Sequence, residues 1–289
     1  MFEKILVPTD FSEKSKYAFE VACSIASKTQ SEVLLLHIIE IPLQATKNEF
    51  NEYVSLRKEG EMFFNRVLRH TAENLNRFIQ ETPLARNIKV KPIYQIGDIA
   101  LDIPELIVQH DVDMLVVGGR TIHRLDEMLE ETNREKLIRL ARCPVLAVNQ
   151  RIENFDLKHV VFAVDLKDEE VKTSGKIKGL QKFYGFKITM LHIKTPFDIT
   201  SEKEILRKGN RLLEIYGYTN AEFRIHKSSS VKRGILEFAE THNADMIAIV
   251  IENHNWIYRF FQLQGNLAGN MVNTFPKPVL TFNVSRLKF

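Results

Sequence analysis

Cysteine is nearly absent from this sequence. Cys23 and Cys143 are the only two in 289 residues, far apart and outside any Cys-x-x-Cys pair. That excludes a disulfide framework and a cysteine zinc site, and leaves both as small buried hydrophobes. No apolar run is long enough to cross a bilayer. The first residues, Met1-Phe2-Glu3-Lys4-Ile5, enter a strand pattern without the basic, apolar and small-residue order of a secretory signal, so the expected location is cytoplasmic. An excess of one charge is missing too: 40 Lys and Arg face 37 Asp and Glu, a net +3 without long runs of one sign. This gives no footprint for nucleic acid and no reason to expect binding to a membrane surface. Catalytic signatures are also lacking, with no Gly-x-Ser-x-Gly elbow, no Gly-Lys-Ser/Thr P-loop, and neither His-x-Gly-His nor Ser-Gly-Gly-x-Asp-Ser. The expectation is a protein that is not an enzyme.

What is present is 44% hydrophobic and 27% charged, the balance of a globular protein of one large or two ordinary domains. Ile5 to Asp10 reads as a short buried strand closing on an aspartate. Ser12 is a helix N-cap candidate, and Ala18, Val21, Ala22, Ile25 and Ala26 share one face of the helix that follows. Val33 to Ile39 is apolar throughout rather than alternating, which predicts a strand covered on both faces. Phe64, Val67, Leu68, Thr71, Leu75 and Phe78 recur at helical spacing until Pro83. Ile88 to Gln95 alternates as a strand, Gly97 punctuates, and Ile99, Ile103, Leu106 and Ile107 mark a third helix. Asp113-Met114-Leu115-Val116-Val117-Gly118-Gly119-Arg120 predicts a buried parallel strand opening into a ligand-facing loop. A short helix over Arg134 to Leu140 and a strand over Cys143 to Val148 complete the unit by a right-handed crossover.

The second half repeats the first. Val160 to Asp165 mirrors the strand ending at Asp10, and His192 follows Asp165 at the same separation as His37 follows Asp10. Asp245-Met246-Ile247-Ala248-Ile249 mirrors Asp113 to Val117, and Lys277-Pro278-Val279-Leu280 mirrors Cys143-Pro144-Val145-Leu146. Two copies of one fold are expected, over residues 1–150 and 155–289, with the joint in the polar stretch Asn149 to Lys158.

The opening Ile-Leu-Val-Pro-Thr-Asp, the Leu-Leu-His-Ile strand, the Asp-Met-Leu-Val-Val-Gly-Gly strand and loop and the closing Cys-Pro-Val-Leu-Ala-Val together resemble the universal stress protein family, in its tandem two-domain type. The resemblance implies two open five-stranded parallel sheets with helices on both faces, an adenine nucleotide alpha-hydrolase-like α/β fold. It also implies final strands that pair across a pseudo-twofold axis, Pro144 to Val148 against Pro278 to Phe282. In many members ATP is held by a loop of the form Gly-x2-Gly-x9-Gly-Ser/Thr, with the first-strand aspartate near the adenine and ribose. Such a loop works because glycine lets backbone N–H groups approach phosphate and the next helix N-terminus favours negative charge.

Only part of that loop is kept. Gly118 occupies the first glycine position, Thr121 the second, Glu131 the third, and Thr132 keeps the hydroxyl. A carboxylate at 131 opposes phosphate by about 1 kcal/mol in water at close range and more when sheltered. In the second half Val250, Ile251, Glu252 and Asn253 stand where the first two glycines would be sought, and Trp256 to Phe261 form an apolar cluster. The reading is a stress-response protein that acts by binding, with no certain cofactor and at most weak ATP or AMP in the first domain, at Asp10, Ile38, Gly118, Thr121 and Thr132. Its alternative is an ATP-binding sensor with slow hydrolysis through Asp10 and Thr132. The loops 120–131 and 252–264 are candidate surfaces for a protein partner, and a homodimer is compatible with the sequence.

Bland readings stand beside these. An aspartate between strand and helix also serves as a cap, equally good for Asp10 and better for Asp165. His37 and His192 lie in apolar strands with no second ligand nearby and read as hydrogen-bonded core histidines. His123 with Asp126 and Glu127 has metal-ligand spacing, yet a solvated charged face explains it as well.

Overall fold

The computed structural model describes residues 2–40, 59–118, 133–166, 171–251 and 276–283. The first half runs β1 (Lys4–Pro8), α1 (Glu13–Thr29), β2 (Glu32–Ile39), α2 (Glu59–Gln80), a 3-10 turn Pro83–Ala85, β3 (Val90–Ile96), α3 (Ile99–Gln109), β4 (Met114–Val117), α4 (Asn133–Leu140) and β5 (Val145–Ala147). The second runs β6 (His159–Ala163), α5 (Val171–Tyr184), β7 (Lys187–Lys194), α6 (Glu202–Tyr216), β8 (Ala221–Lys227), α7 (Val231–Thr241), β9 (Met246–Ile251) and β10 (Val279–Asn283). Patterning alone does not reveal α5, α6 and β8, and it begins β3 two residues early.

All strands join one 10-stranded sheet in the order β3-β2-β1-β4-β5-β10-β9-β6-β7-β8. Within each half every described pairing is parallel. The halves meet antiparallel, Ala147 opposite Val279, Leu146 opposite Leu280 and Val145 opposite Thr281, as the resemblance implied. Parallel strands covered by helices on both faces must be apolar throughout, and β1, β2 and β4 are buried accordingly. Helices then bury one face each: α1 sinks Ala18, Phe19, Ala22 and Ile25, and α3 sinks Ile103, Leu106 and Ile107.

Caps set where the helices begin and end. Ser12 accepts from Ser15 N at the start of α1, and Gln30 closes it in the left-handed region at φ 60°. Ser201 and Gly217 do the same for α6. Two aspartates pin the strands of the repeat at their first residues. Asp113 Oδ2 accepts from Glu3 N and Lys4 N at 2.8 and 3.3 Å, and Asp245 Oδ2 accepts from Lys158 N and His159 N at 2.8 and 2.9 Å.

The joint expected to be polar is docked. Phe155 and Leu157 are buried in the main core, Asp156 pairs with Lys28 at 2.6 Å and Arg151 with Glu20 at 3.7 Å. Two apolar residues among polar ones carry no periodicity, yet they seal the connection against α1. Cys23 and Cys143 are buried and unpaired, and burial pushes both thiols up to about 12. No described helix is long and apolar enough to cross a membrane.

Candidate functional site

β1 and β4 lie side by side with their crossovers leaving in opposite directions, β1 toward β2 and β4 toward β5. A cleft opens beyond strand carboxyl ends at such a switch point. Here a cavity of about 90 Å³ is lined by Pro8, Thr9 and Asp10 after β1, Leu36 to Ile38 on β2, Ile99 and Ile103 on α3, Val117 and Gly118 after β4, and Leu137 on α4. Three of the five residues read from the sequence, Asp10, Ile38 and Gly118, therefore converge on one pocket. The other two, Thr121 and Thr132, lie outside the described residues, as do Glu131, His123, the 120–131 and 252–264 loops and the Trp256 to Phe261 cluster.

Asp10 makes the turn before α1 and also faces the pocket. Its Oδ1 accepts from Ser12 N at 3.0 Å and Ser12 Oγ at 2.6 Å, an Asx turn that feeds the α1 cap, and it also lines the pocket. Burial pulls its carboxyl upward, but the hydrogen bonds from Ser12 outweigh this and hold it below the ordinary value. It is therefore an ionised acceptor near neutral pH.

Gly118 has a reason to be glycine besides ligand approach. A Cβ there would lie 2.4 Å from Lys14 O and 2.9 Å from Ser15 N, so the end of β4 sits directly against the first turn of α1. Ser15 continues this contact network, with its Oγ 2.9 Å from Thr9 Oγ1.

Two features at and beside the pocket are not legible in the sequence. Phe11 has φ 64°, an uncommon conformation for a bulky residue that stores about 1–3 kcal/mol of strain. Phe11 N donates to Thr9 Oγ1 at 3.0 Å, and its ring packs on His37 at 4.5 Å and on Phe78 at 5.9 Å. No sequence pattern announces a positive φ at phenylalanine. His37 Nδ1 lies 2.7 Å from Thr9 O; since a carbonyl only accepts, Nδ1 carries the proton. His192 repeats the arrangement with Nδ1 3.4 Å from Val164 O, and adds Asp198 Oδ2 at 3.0 Å from Nε2. Both are hydrogen-bonded histidines of the sheet, as the apolar strands around them indicated. No group of three or more His, Cys, Asp or Glu among the described residues is placed to hold a metal ion.

The described lining contains two carboxylates, Asp10 and Glu40, and no lysine or arginine.

Comparison with known proteins agrees with this architecture. The family model described as the universal stress protein family matches residues 1–149. A universal stress protein of Methanocaldococcus jannaschii is 29% identical over 157 residues, 52% of this chain and 97% of its own length. A crystal structure of a universal stress protein from Archaeoglobus fulgidus superposes with TM-score 0.67 at 18% identity, covering 98% of this chain and 97% of its own, so the fold is shared through both halves. Another universal stress protein, solved in complex with cAMP, covers 50% of this chain at TM-score 0.36 and 18% identity. With a family model spanning half the sequence and the tandem fold spanning nearly all of it, the chain belongs to the universal stress protein family.

Proposed function

We propose that this protein acts by binding rather than turnover, and that its first-half pocket takes the ring and sugar portion of an adenine nucleotide weakly. The observation that carries this reading is the convergence of Asp10, Ile38 and Gly118 on one cleft at the switch point. Ile38 and Ile103 offer apolar surface to a ring, and the Asp10 carboxylate offers an acceptor to hydroxyl groups. About 90 Å³ suits a ring and is small beside the several hundred Å³ that encloses a whole drug-sized ligand. Two acidic residues on the wall and Glu131 in the phosphate loop oppose the charged end of the nucleotide.

Titration calorimetry with ATP and AMP on the wild type, Asp10→Ala and Glu131→Gly tests this. The expected result is binding weaker than micromolar to the wild type, further weakened by Asp10→Ala, with ATP gaining most from Glu131→Gly. Micromolar or tighter ATP binding to the wild type would contradict the argument from charge. Steady ATP consumption that disappears in Asp10→Ala would replace binding by catalysis.

A further inference from the structure

We propose that the second half braces one wall of the first-half pocket, with Asn283 as a positioning residue that reaches across the junction to hold α4; the link to ligand binding rests on the function proposed above. Asn283 is the last residue of β10 and is buried to 7% exposure. Its Nδ2 donates to Arg139 O at 2.7 Å, across 144 residues of sequence. Arg139 lies in the last turn of α4, where helix carbonyls have no intrahelical donor and need one from elsewhere. One such carbonyl, Leu137 O, is satisfied locally by Ala141 N at 2.8 Å. Arg139 O takes its donor from the other half of the molecule.

The consequence reaches the pocket because α4 supplies part of its wall. Leu137 lines the cavity and is 3% exposed. Leu137 and Ile138 share a core with Cys143, Val145 and Ala147 of their own half and with Val279 of β10. α4 also follows directly on Thr132, the hydroxyl position of the loop. An eight-residue helix is too short to hold its place by its own hydrogen bonds. Its position is set by what it packs on, and Asn283 is a directional contact from β10. Beside it Thr281 Oγ1 donates to Val145 O at 3.2 Å, which fixes the register of β10 against β5. The repeat places Asn149, two residues beyond β5, at the position of Asn283.

If the junction and the pocket are coupled in this way, the coupling is reciprocal: a ligand that favours one placement of α4 strengthens the β5–β10 contact by the same factor. The test uses the full chain. Amide exchange of Leu137, Ile138 and Ala141 is measured in wild type, Asn283→Ala and Asn283→Asp, with α1 and β6 amides as internal references, and AMP affinity is measured beside it. Asn283→Asp keeps the volume and removes the donor. Loss of one hydrogen bond predicts about tenfold faster exchange in α4, with α1 and β6 unchanged, and up to tenfold weaker AMP binding in both variants. Unchanged α4 exchange, or faster exchange spread equally over α1 and β6, would overturn the proposal. So would an Asn283→Asp variant that behaves as wild type. If the wild type binds no AMP, the functional reading fails, and α4 exchange alone decides whether Asn283 positions that helix.

Discussion

Gly118 and Val250 occupy the same place in the two halves, one residue beyond the run that begins at Met114 or Met246. At Gly118 the chain passes so close to Lys14 and Ser15 that no Cβ fits. At Val250 a branched side chain is accommodated, 6% exposed, and the strand runs on to Ile251 instead of stopping. One fold thus yields two different edges. In the first, a strand end and a helix start converge on a cavity, with a strained Phe11 packed behind His37; in the second, the equivalent position is spent on core packing.

The strongest way to break this comparison is to exchange the two residues. Gly118→Val places a branched side chain against the Lys14 backbone, and overpacking of that kind costs about 1–3 kcal/mol or more. The urea midpoint should fall sharply, and any AMP affinity with it. Val250→Gly leaves a cavity and should cost about 2–3 kcal/mol without creating a pocket. Equal effects of the two, or a tolerant Gly118→Val, would mean that the close approach at the end of β4 is unimportant.

Next in size is a pair of aspartates. Asp113→Ala and Asp245→Ala each remove an acceptor for two strand N–H groups, at about 1–3 kcal/mol. Asp113 also receives Lys176 Nζ from the second half at 3.0 Å, whereas Lys277 stands 3.9 Å from Asp245. A double-mutant cycle on Asp113 and Lys176 should return about 0.5–1 kcal/mol in low salt, because the pair is only partly exposed. A cycle that returns zero would reduce the cross-junction pair to a bystander.

The histidines offer a pH-dependent contrast. The hydrogen bond from His192 holds the Asp198 carboxyl down to about 2, below the value of about 3.9 in an unfolded chain. A folded value below the unfolded one stabilises fully above about pH 4, and that contribution is lost as pH falls through about 2. Asp198→Asn should therefore lower the thermal midpoint at pH 6 and coincide with wild type near pH 2. A difference that persists in acid would assign the stabilisation to packing.

The smallest effect belongs to the sheet edges. Glu32 pairs with Lys89 at 3.1 Å at one edge, while at the other Lys187 pairs with Glu222 at 2.7 Å, with the polarity reversed. In both pairs the lysine is exposed and solvent screens the attraction, so Lys89→Ala and Lys187→Ala should each change the stability by no more than about 0.5 kcal/mol. A larger loss at one edge would show that the two are not equivalent.

The sequence by itself determined the repeat and the central strands, because buried parallel strands must be apolar over their covered middles and β1, β2, β4, β6, β7 and β9 are. The family resemblance grouped Asp10, Ile38 and Gly118, and all three line one pocket at the strand ends. Tertiary structure decided the rest. Phe155 and Leu157 became core only by meeting α1 and its neighbours, and Phe11 took a left-handed backbone because His37 and Phe78 hold its ring. Gly118 is required by the backbone of residues 14 and 15, and the carbonyl of Arg139 is satisfied from residue 283. Periodicity reports which face of an element is buried, but not which distant group will arrive there. Close approach, strain and cross-junction hydrogen bonds depend on that arrival, and they carry no local signature.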